Sequence, residues 1–220
     1  MKVPAFFRAM RPQQWVKNIL VPGPLLFAAG DATVTLPPGA GMRTLGATAL
    51  FCLMSSAIYL FNDVRDRDLD RHHPRKKYRP VASGELSPRH ALTGSALLGL
   101  GSLIAAALWS PPLAGVLLTY WLLQFAYALS LKHMAYLDVM ALSLGFVLRA
   151  VAGAVALPVP MSYWLLLCTF LLALFLALCK RRQEKQSHPA TEPETRPSLK
   201  QVSIKGIDLI IHLVMGLSVI

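Results

Sequence analysis

The chain has 220 residues, of which 55% are hydrophobic and 15% are charged, and its mean hydropathy is +0.49. This composition excludes an ordinary soluble domain and indicates a polytopic membrane protein. The formal net charge is +11. The cations alternate with long apolar runs, a distribution that argues against a nucleic-acid-binding protein.

Apolar runs of roughly the 20 residues needed to cross a bilayer recur along the chain. The first is short and is interrupted by Pro22 and Pro24, and the last stops at Ile220 without a polar flank. We therefore expect an all-helical transmembrane bundle with about seven spans in this chain, truncated at its C-terminal end. In order, the predicted spans are 15–29, 44–61, 90–109, 113–131, 136–157, 163–179 and 207–220.

The Lys and Arg residues are strongly biased to one side of these predicted spans. With a cytoplasmic N-terminus, the segments 1–17, 62–89, 131–135 and 180–206 share one side and contain 20 of the 22 Lys and Arg residues. This is the asymmetry of the positive-inside rule. It predicts a multi-pass protein of the inner (plasma) membrane, with the segments around 62–89, 131–135 and 180–206 in the cytoplasm.

A polar block after the second predicted span carries the strongest functional signal. It reads N-D-V-R-D-R-D-L-D over residues 62–70 and continues as R-H-H-P-R-K-K-Y-R over residues 71–79. Asp63, Asp66 and Asp70 are spaced i, i+3 and i+7, which places them on one face of a helix and turns Asp68 away from them. Carboxylates so close together repel one another, and a cation relieves that repulsion.

Oxygen ligands of this kind suit Mg²⁺, which takes one or two carboxylates and completes its coordination with water and substrate phosphate. We predict a magnesium site made of Asn62, Asp63, Asp66 and Asp70, with the three carboxylates as catalytic residues. Two alternatives remain open. The carboxylates form intrahelical pairs with neighbouring arginines, or the block is a solvated loop between spans.

The long motif resembles that of a known family. The pattern N-D-x-x-D-x-x-x-D at 62–70, followed by H-P-R-K at 73–76 and R-P-x-A-S-G at 79–84, resembles the first signature of the UbiA superfamily of intramembrane prenyltransferases. The resemblance runs along the whole chain. It implies a single transmembrane domain over residues 1–220, part of a nine-span bundle, with a cytoplasmic cap that holds magnesium and diphosphate.

The chain departs from typical members of this family in its second motif. The usual D-x-x-x-D after the sixth span is replaced by Lys180 and Glu184 at the two aspartate positions, and the loop at 127–132 is one residue longer than the usual Y-x-x-x-K. With R-P-x-Q-W-x-K-N at 11–18, this combination resembles the branch of polyprenyl-phosphate (decaprenyl-phosphate) phosphoribosyltransferases. That branch transfers 5-phosphoribosyl from 5-phosphoribosyl 1-diphosphate to a polyprenyl phosphate and releases diphosphate, for synthesis of cell-envelope arabinose precursors.

Substrates with more phosphate groups require more fixed positive charge. Lys180 agrees with this need, although a topogenic charge cluster at 180–182 is the alternative.

Arg149 lies inside the fifth predicted span, where a cation is costly unless it faces a polar cavity or a partner. It shares a helix face with Asp138, about 16 Å away, and a structural intramembrane ion pair is the alternative here. The predicted substrate-binding residues are Lys17, Asn62, Arg75, Lys76, Lys77, Tyr78, Arg79, Tyr127, Lys132, Asp138, Arg149, Lys180 and Glu184.

Two other functions compete with phosphoribosyl transfer. One is a UbiA-type prenyltransferase that joins a prenyl diphosphate to an aromatic or quinone precursor. The other is a transporter or non-catalytic membrane protein, which is less consistent because Arg149 is nearly alone at mid-depth. The expected partners are phosphoribosyl diphosphate, a polyprenyl phosphate lipid and the membrane, without nucleic acid, and assembly into a homo-oligomer is left open.

Overall fold

The computed structural model describes residues 3–187 and 202–218. All regular secondary structure in these ranges is helical, which confirms the predicted all-α class. Short 3₁₀ segments occur at Pro12–Leu20, Lys76–Tyr78 and Leu131–His133. The α-helices are α1 (Ala5–Ala9), α2 (Gly23–Gly30), α3 (Ala40–Arg65), α4 (Arg67–His72), α5 (Pro80–Ser83), α6 (Pro88–Trp109), α7 (Pro111–Leu129), α8 (Leu137–Ala156), α9 (Tyr163–Ser187) and α10 (Ile204–Leu217).

Five of these helices, α3, α6, α7, α8 and α9, are long and apolar enough to cross a membrane. They correspond to the second through sixth predicted spans. The first predicted span is instead divided into a 3₁₀ segment and α2, with Pro22 and Pro24 at the junction, because proline lacks the backbone N–H that a continuous helix needs. The seventh falls on α10, and its last two residues lie outside the described residues. The predicted count of seven spans is therefore not confirmed.

The chain divides into two compact units. Among the described residues, the first unit contains those up to Trp121 together with Val151–Pro160. The second contains Leu122–Ala150 and the described residues from Met161 onwards. Each unit holds one group of the predicted site residues.

In the first unit, α3 and α6 pack through small side chains. The Ser95 hydroxyl donates a hydrogen bond to the Ala57 carbonyl at 2.7 Å, and a Cβ placed on Gly99 would lie 3.6 Å from the Ala57 Cβ. Small residues let helix backbones approach closely where lipid supplies no hydrophobic driving force between helices. This packing fixes the rotation of α3, whose C-terminal end carries the acidic motif.

In the second unit, α9 and α10 share a buried apolar core around Leu171, Leu178, Ile207 and Ile211. This core determines which side chains at the C-terminal end of α9 face inward.

Candidate functional site

The acidic motif begins on α3 and continues across a break in the helix. Asp66 lies at the break, with φ −89° and ψ 7°, between the end of α3 and the start of α4. The Asp66 N–H still donates to the Asn62 carbonyl at 2.9 Å, and the Asp70 N–H donates to the Asp66 carbonyl at 2.8 Å. Helical spacing is thus kept through a break that the sequence did not predict.

Burial of the carboxylates follows the predicted helical phase. Asp63 and Asp70 are 1% and 3% exposed, and Asp66 is half-buried. The Asp68 side chain is 89% exposed and forms a 3.7 Å ion pair with Arg71. The alternative of intrahelical pairing therefore describes Asp68, whereas the buried carboxylates have partners elsewhere in the chain.

Two arginines hold the buried carboxylates. Asp63 Oδ1 accepts hydrogen bonds from Arg11 Nη2 and, at 3.4 Å, from Arg79 Nη1. The same Arg79 nitrogen donates to Asp70 Oδ2 at 2.5 Å, so that Arg79 bridges the two carboxylates. Two guanidinium groups thus balance two carboxylates, in a cluster that we call the acid–arginine cluster (Arg11, Asp63, Asp70 and Arg79).

One oxygen of the acid–arginine cluster lacks a partner. Asp63 Oδ2 is buried and accepts no hydrogen bond from any residue that the structure describes. A buried polar atom without a partner is costly and calls for an explanation, such as a ligand that completes it. Within the described ranges, no group of three or more His, Cys, Asp or Glu side chains is arranged to hold a metal ion.

The cationic loop after α4 is organised by His73. Its Nδ1 accepts hydrogen bonds from the backbone N–H groups of Arg75, at 3.1 Å, and Lys76, at 3.3 Å. The side chains of Arg75, Lys77 and Tyr78 are exposed, and that of Lys76 is half-buried. The loop therefore presents predicted phosphate-binding cations at the surface, next to the buried carboxylates.

Arg11 was missed as a site residue, although it lies in the R-P-x-Q-W-x-K-N motif at 11–18. Lys17 of this motif is the predicted substrate-binding residue, but it is exposed, whereas Arg11 reaches Asp63 and lies 4.9 Å over the Tyr59 ring. The presence of a cation beside a helix-breaking proline was the available signal. Its partner, 52 residues away, was not visible in the sequence.

In the second unit, Arg181 forms a buried bridge between Asp138 and Glu184. Arg181 Nε donates to Asp138 Oδ2 at 2.6 Å, and Nη1 donates to Glu184 Oε2 at 2.7 Å. Arg181 is 5% exposed, whereas Lys180, the predicted substrate-binding cation, is exposed. Arg181, and not the predicted Lys180, is thus the cation that pairs with these two carboxylates. The role of Lys180 in donor binding stays a prediction.

Arg149 is buried within α8. Its Nη1 donates to the Gly145 carbonyl at 2.6 Å, and its guanidinium lies 5.2 Å over the Phe146 ring. Asp138, on the same helix, pairs with Arg181. Tyr127 and Lys132, also predicted to bind substrate, are half-buried in this unit.

A comparison with protein families decides the family. The model of the UbiA prenyltransferase family matches residues 20–188. The chain belongs to the UbiA prenyltransferase family. The resemblance stated from its motifs is thereby confirmed.

Curated relatives of this UbiA family member include enzymes of the predicted branch. The chain is 39% identical over 198 residues to the decaprenyl-phosphate phosphoribosyltransferase of Mycolicibacterium smegmatis, covering 90% of this chain and 62% of that protein. It is 40% identical over 199 residues to the same-named enzyme of Corynebacterium glutamicum, covering 88% of this chain and 58% of that protein. The chain thus spans about three fifths of the length of these relatives.

Solved structures confirm the fold. A UbiA homologue from Archaeoglobus fulgidus, bound to DMAPP and Mg²⁺, superposes with a TM-score of 0.78 at 20% sequence identity, covering 97% of this chain and 75% of that chain. The chain therefore has the all-helical UbiA fold of an integral membrane protein.

Proposed function

We propose that this UbiA family member transfers 5-phosphoribosyl from 5-phosphoribosyl 1-diphosphate to a polyprenyl phosphate such as decaprenyl phosphate, releasing diphosphate. The choice of donor is supported by relatives of that name at 39% and 40% identity over most of this chain. The chemistry is supported by one structural observation, the unpartnered Asp63 Oδ2 buried in the acid–arginine cluster.

The residues present fit a divalent cation that arrives with its substrate. Mg²⁺ commonly binds through one or two carboxylates and takes its other ligands from substrate phosphates and water. Asp63, through Oδ2, and Asp70 would hold the ion, with Asn62 and Asp66 nearby on the same helical segment. Because Arg11 and Arg79 already balance the two buried carboxylates, anionic charge from diphosphate is needed before a divalent cation binds well.

Bound Mg²⁺ would stabilise the negative charge that develops on the leaving diphosphate. The cations of the loop, Arg75, Lys76 and Lys77, would bind the phosphate groups of the donor and orient its C1 carbon. The C1–O bond to diphosphate breaks and a phosphate oxygen of the acceptor bonds to C1. Because a lipid phosphate is already anionic, no residue has to remove a proton from it.

The membrane setting is part of this proposal. The bias of Lys and Arg to one side of the spans supports a cytoplasmic location for the acidic motif, in the plasma membrane. The acceptor's apolar tail would stay in lipid while its phosphate reaches the cytoplasmic surface. In the second unit, Tyr127, Lys132, Asp138, Arg149, Lys180 and Glu184 are proposed to contribute further substrate contacts.

The decisive experiment compares two labelled donors on the same purified protein. The protein, reconstituted with decaprenyl phosphate, is given radiolabelled phosphoribosyl diphosphate. In parallel, it is given labelled prenyl diphosphate with 4-hydroxybenzoate. We expect label to enter lipid only from phosphoribosyl diphosphate, to stop with EDTA and to resume with Mg²⁺.

Label from the prenyl donor alone would replace this proposal with aromatic prenylation. Transfer that survives EDTA would remove the metal from the mechanism. Because the chain spans about three fifths of its relatives' length, the full-length Mycolicibacterium smegmatis enzyme serves as the positive control.

A further inference from the structure

The segment that contains the R-P-x-Q-W-x-K-N motif is attached to a polar stripe on α3. Cys52, Ser56, Tyr59 and Asp63 are spaced i, i+4, i+7 and i+11, which places them along one face of that helix. Each of the four is contacted by a residue between positions 10 and 18. The stripe ends at Asp63, the carboxylate with the unpartnered oxygen.

Three of these contacts involve Cys52 and Ser56, which precede Asp63 on α3. The Trp15 indole N–H donates to the Ser56 hydroxyl at 3.0 Å. The Ser56 hydroxyl in turn donates to the Met10 carbonyl at 3.0 Å. Asn18 Nδ2 lies 3.1 Å from Cys52 Sγ. These contacts fix the backbone on both sides of Arg11.

Arg11 itself adopts a conformation that L-residues seldom take. Its φ is 53° and its ψ is 60°, in the left-handed region, which is unfavourable for a residue with a Cβ. In this conformation its guanidinium lies over the Tyr59 ring and reaches Asp63 Oδ1. The contacts of Met10, Trp15 and Asn18 therefore hold Arg11 in an unfavourable backbone conformation. This conformation allows its side chain to pair with Asp63.

We propose that Arg11 is a positioning residue for the Asp63 carboxylate. By engaging Oδ1, it prevents rotation of the carboxylate and presents the buried Oδ2 as a metal ligand. This inference rests on the proposed function, since it assumes a divalent cation at Asp63. It adds a residue of the N-terminal motif to the site and assigns that motif a role in metal binding.

A purely neutralising role for Arg11 makes the opposite prediction. If the arginine only offsets negative charge, its removal leaves the site more negative and binds a divalent cation more tightly. If it orients Asp63, its removal weakens metal binding. Loss of a partner that orients a metal ligand typically lowers metal affinity about 10- to 100-fold. The sign of the change in metal affinity separates the two roles.

The test measures Mn²⁺ binding without turnover. Purified protein in detergent is titrated with Mn²⁺ in the presence of inorganic diphosphate, and free Mn²⁺ is followed by electron paramagnetic resonance. We expect Arg11→Gln to weaken Mn²⁺ binding about 10- to 100-fold. Arg11→Lys, which keeps the charge but loses the planar fork, is expected to fall between wild type and Arg11→Gln.

Arg8 offers a matched control on the same N-terminal segment. It pairs with Glu85, and both side chains are more than two-fifths exposed. Arg8→Gln should leave Mn²⁺ affinity unchanged. Size-exclusion profiles and unfolding temperatures establish that each variant is folded, and if Arg11→Gln is not, Arg11→Lys decides the question.

The positioning role is overturned if the folded Arg11 variants bind Mn²⁺ as tightly as wild type or more tightly. It is also overturned if wild-type protein binds no Mn²⁺ in the presence of diphosphate. The donor assay keeps this result separate from the proposed function. If label enters lipid from prenyl diphosphate while Arg11→Gln still weakens Mn²⁺, the phosphoribosyl assignment fails and the role of Arg11 stands.

Discussion

At the scale of single residues, the acidic motif contains carboxylates in two environments. Asp63 and Asp70 are buried and held by arginines from elsewhere in the chain, whereas the Asp68 side chain is 89% exposed. An exposed carboxylate binds a metal ion only weakly, because water already solvates its negative charge. The buried carboxylates have no such hydration, so they depend on their partners.

The first prediction compares these carboxylates by isosteric substitution. Asp63→Asn and Asp70→Asn should each lower the transfer rate on the order of 100-fold or more, because each removes a charge that stabilises the leaving group through the metal. Asp68→Asn should stay within about 2-fold of wild type, as is usual for an exposed position away from a site. Initial rates with labelled donor measure all three. Equal losses at Asp68 and Asp63 would contradict the burial argument.

The second prediction concerns neighbouring arginines at the end of α9. Arg181 bridges buried Asp138 and half-buried Glu184, whereas Arg182 pairs with Asp208 in a bridge whose side chains are 39% and 33% exposed. Arg181→Met should lower the free energy of unfolding by about 3–5 kcal/mol, since it leaves Asp138 buried and unpaired. Arg182→Met should have a much smaller effect, because an exposed ion pair contributes little to stability. Unfolding in mixed micelles measures both.

A double variant tests the cause of that loss. Asp138→Leu combined with Arg181→Met removes both charges, so it should be more stable than Arg181→Met alone. If the double variant loses as much as the sum of the single variants, the buried bridge is not the source of the effect.

At the scale of helices, the relative placement of elements depends on glycine at a few close contacts. Gly153 on α8 lies against the backbone of Val21, where an added Cβ would overlap the Val21 carbonyl. Gly101 on α6 has open space around the corresponding position. Both glycines lie in helices, yet only Gly153 permits a close approach between two segments of the first unit.

The third prediction uses these two glycines as a matched pair. Gly153→Ala should lower the free energy of unfolding by about 1–3 kcal/mol, because the methyl group has to displace the Val21 backbone. Gly101→Ala should be neutral or stabilise by up to about 1 kcal/mol, the gain in helix propensity. Thermal unfolding in detergent measures the difference. Stabilisation by Gly153→Ala would show that Gly153 and Val21 are not in close contact.

At the scale of the whole molecule, charge distribution predicts how the chain lies in the membrane. Of the 22 Lys and Arg residues, 20 lie in segments that the predicted spans place on one side. The acidic motif and the cationic loop belong to that side. The orientation of the protein and the location of the proposed site therefore depend on each other.

The fourth prediction tests this orientation with single cysteines. In a background without Cys52, Cys168 and Cys179, an exposed Ser83→Cys should react with an impermeant maleimide only from the cytoplasmic side. Thr35→Cys, exposed between α2 and α3, should react only from outside. Sealed spheroplasts and inverted vesicles give the two accessibilities. Labelling of Ser83→Cys in intact spheroplasts would overturn both the orientation and the cytoplasmic site.

The sequence by itself determined the all-α class, the five central apolar helices and the helical phase of the carboxylates. These properties are local, since hydrophobic length and a period of 3.6 residues are written in consecutive positions. Even here, the division of the first predicted span and the break at Asp66 show that boundaries depend on more than the apolar pattern.

Only the tertiary structure decided which charges pair. Arg11 reaches Asp63 across 52 residues, and Arg181 reaches Asp138 across 43. In the sequence, Arg181 cannot be distinguished from its cationic neighbours Lys180 and Arg182. Their difference arises because packing of α9 against α10 fixes the rotation of α9 and turns one of the three toward buried Asp138. Partner choice is thus a property of helix packing, which consecutive residues do not encode.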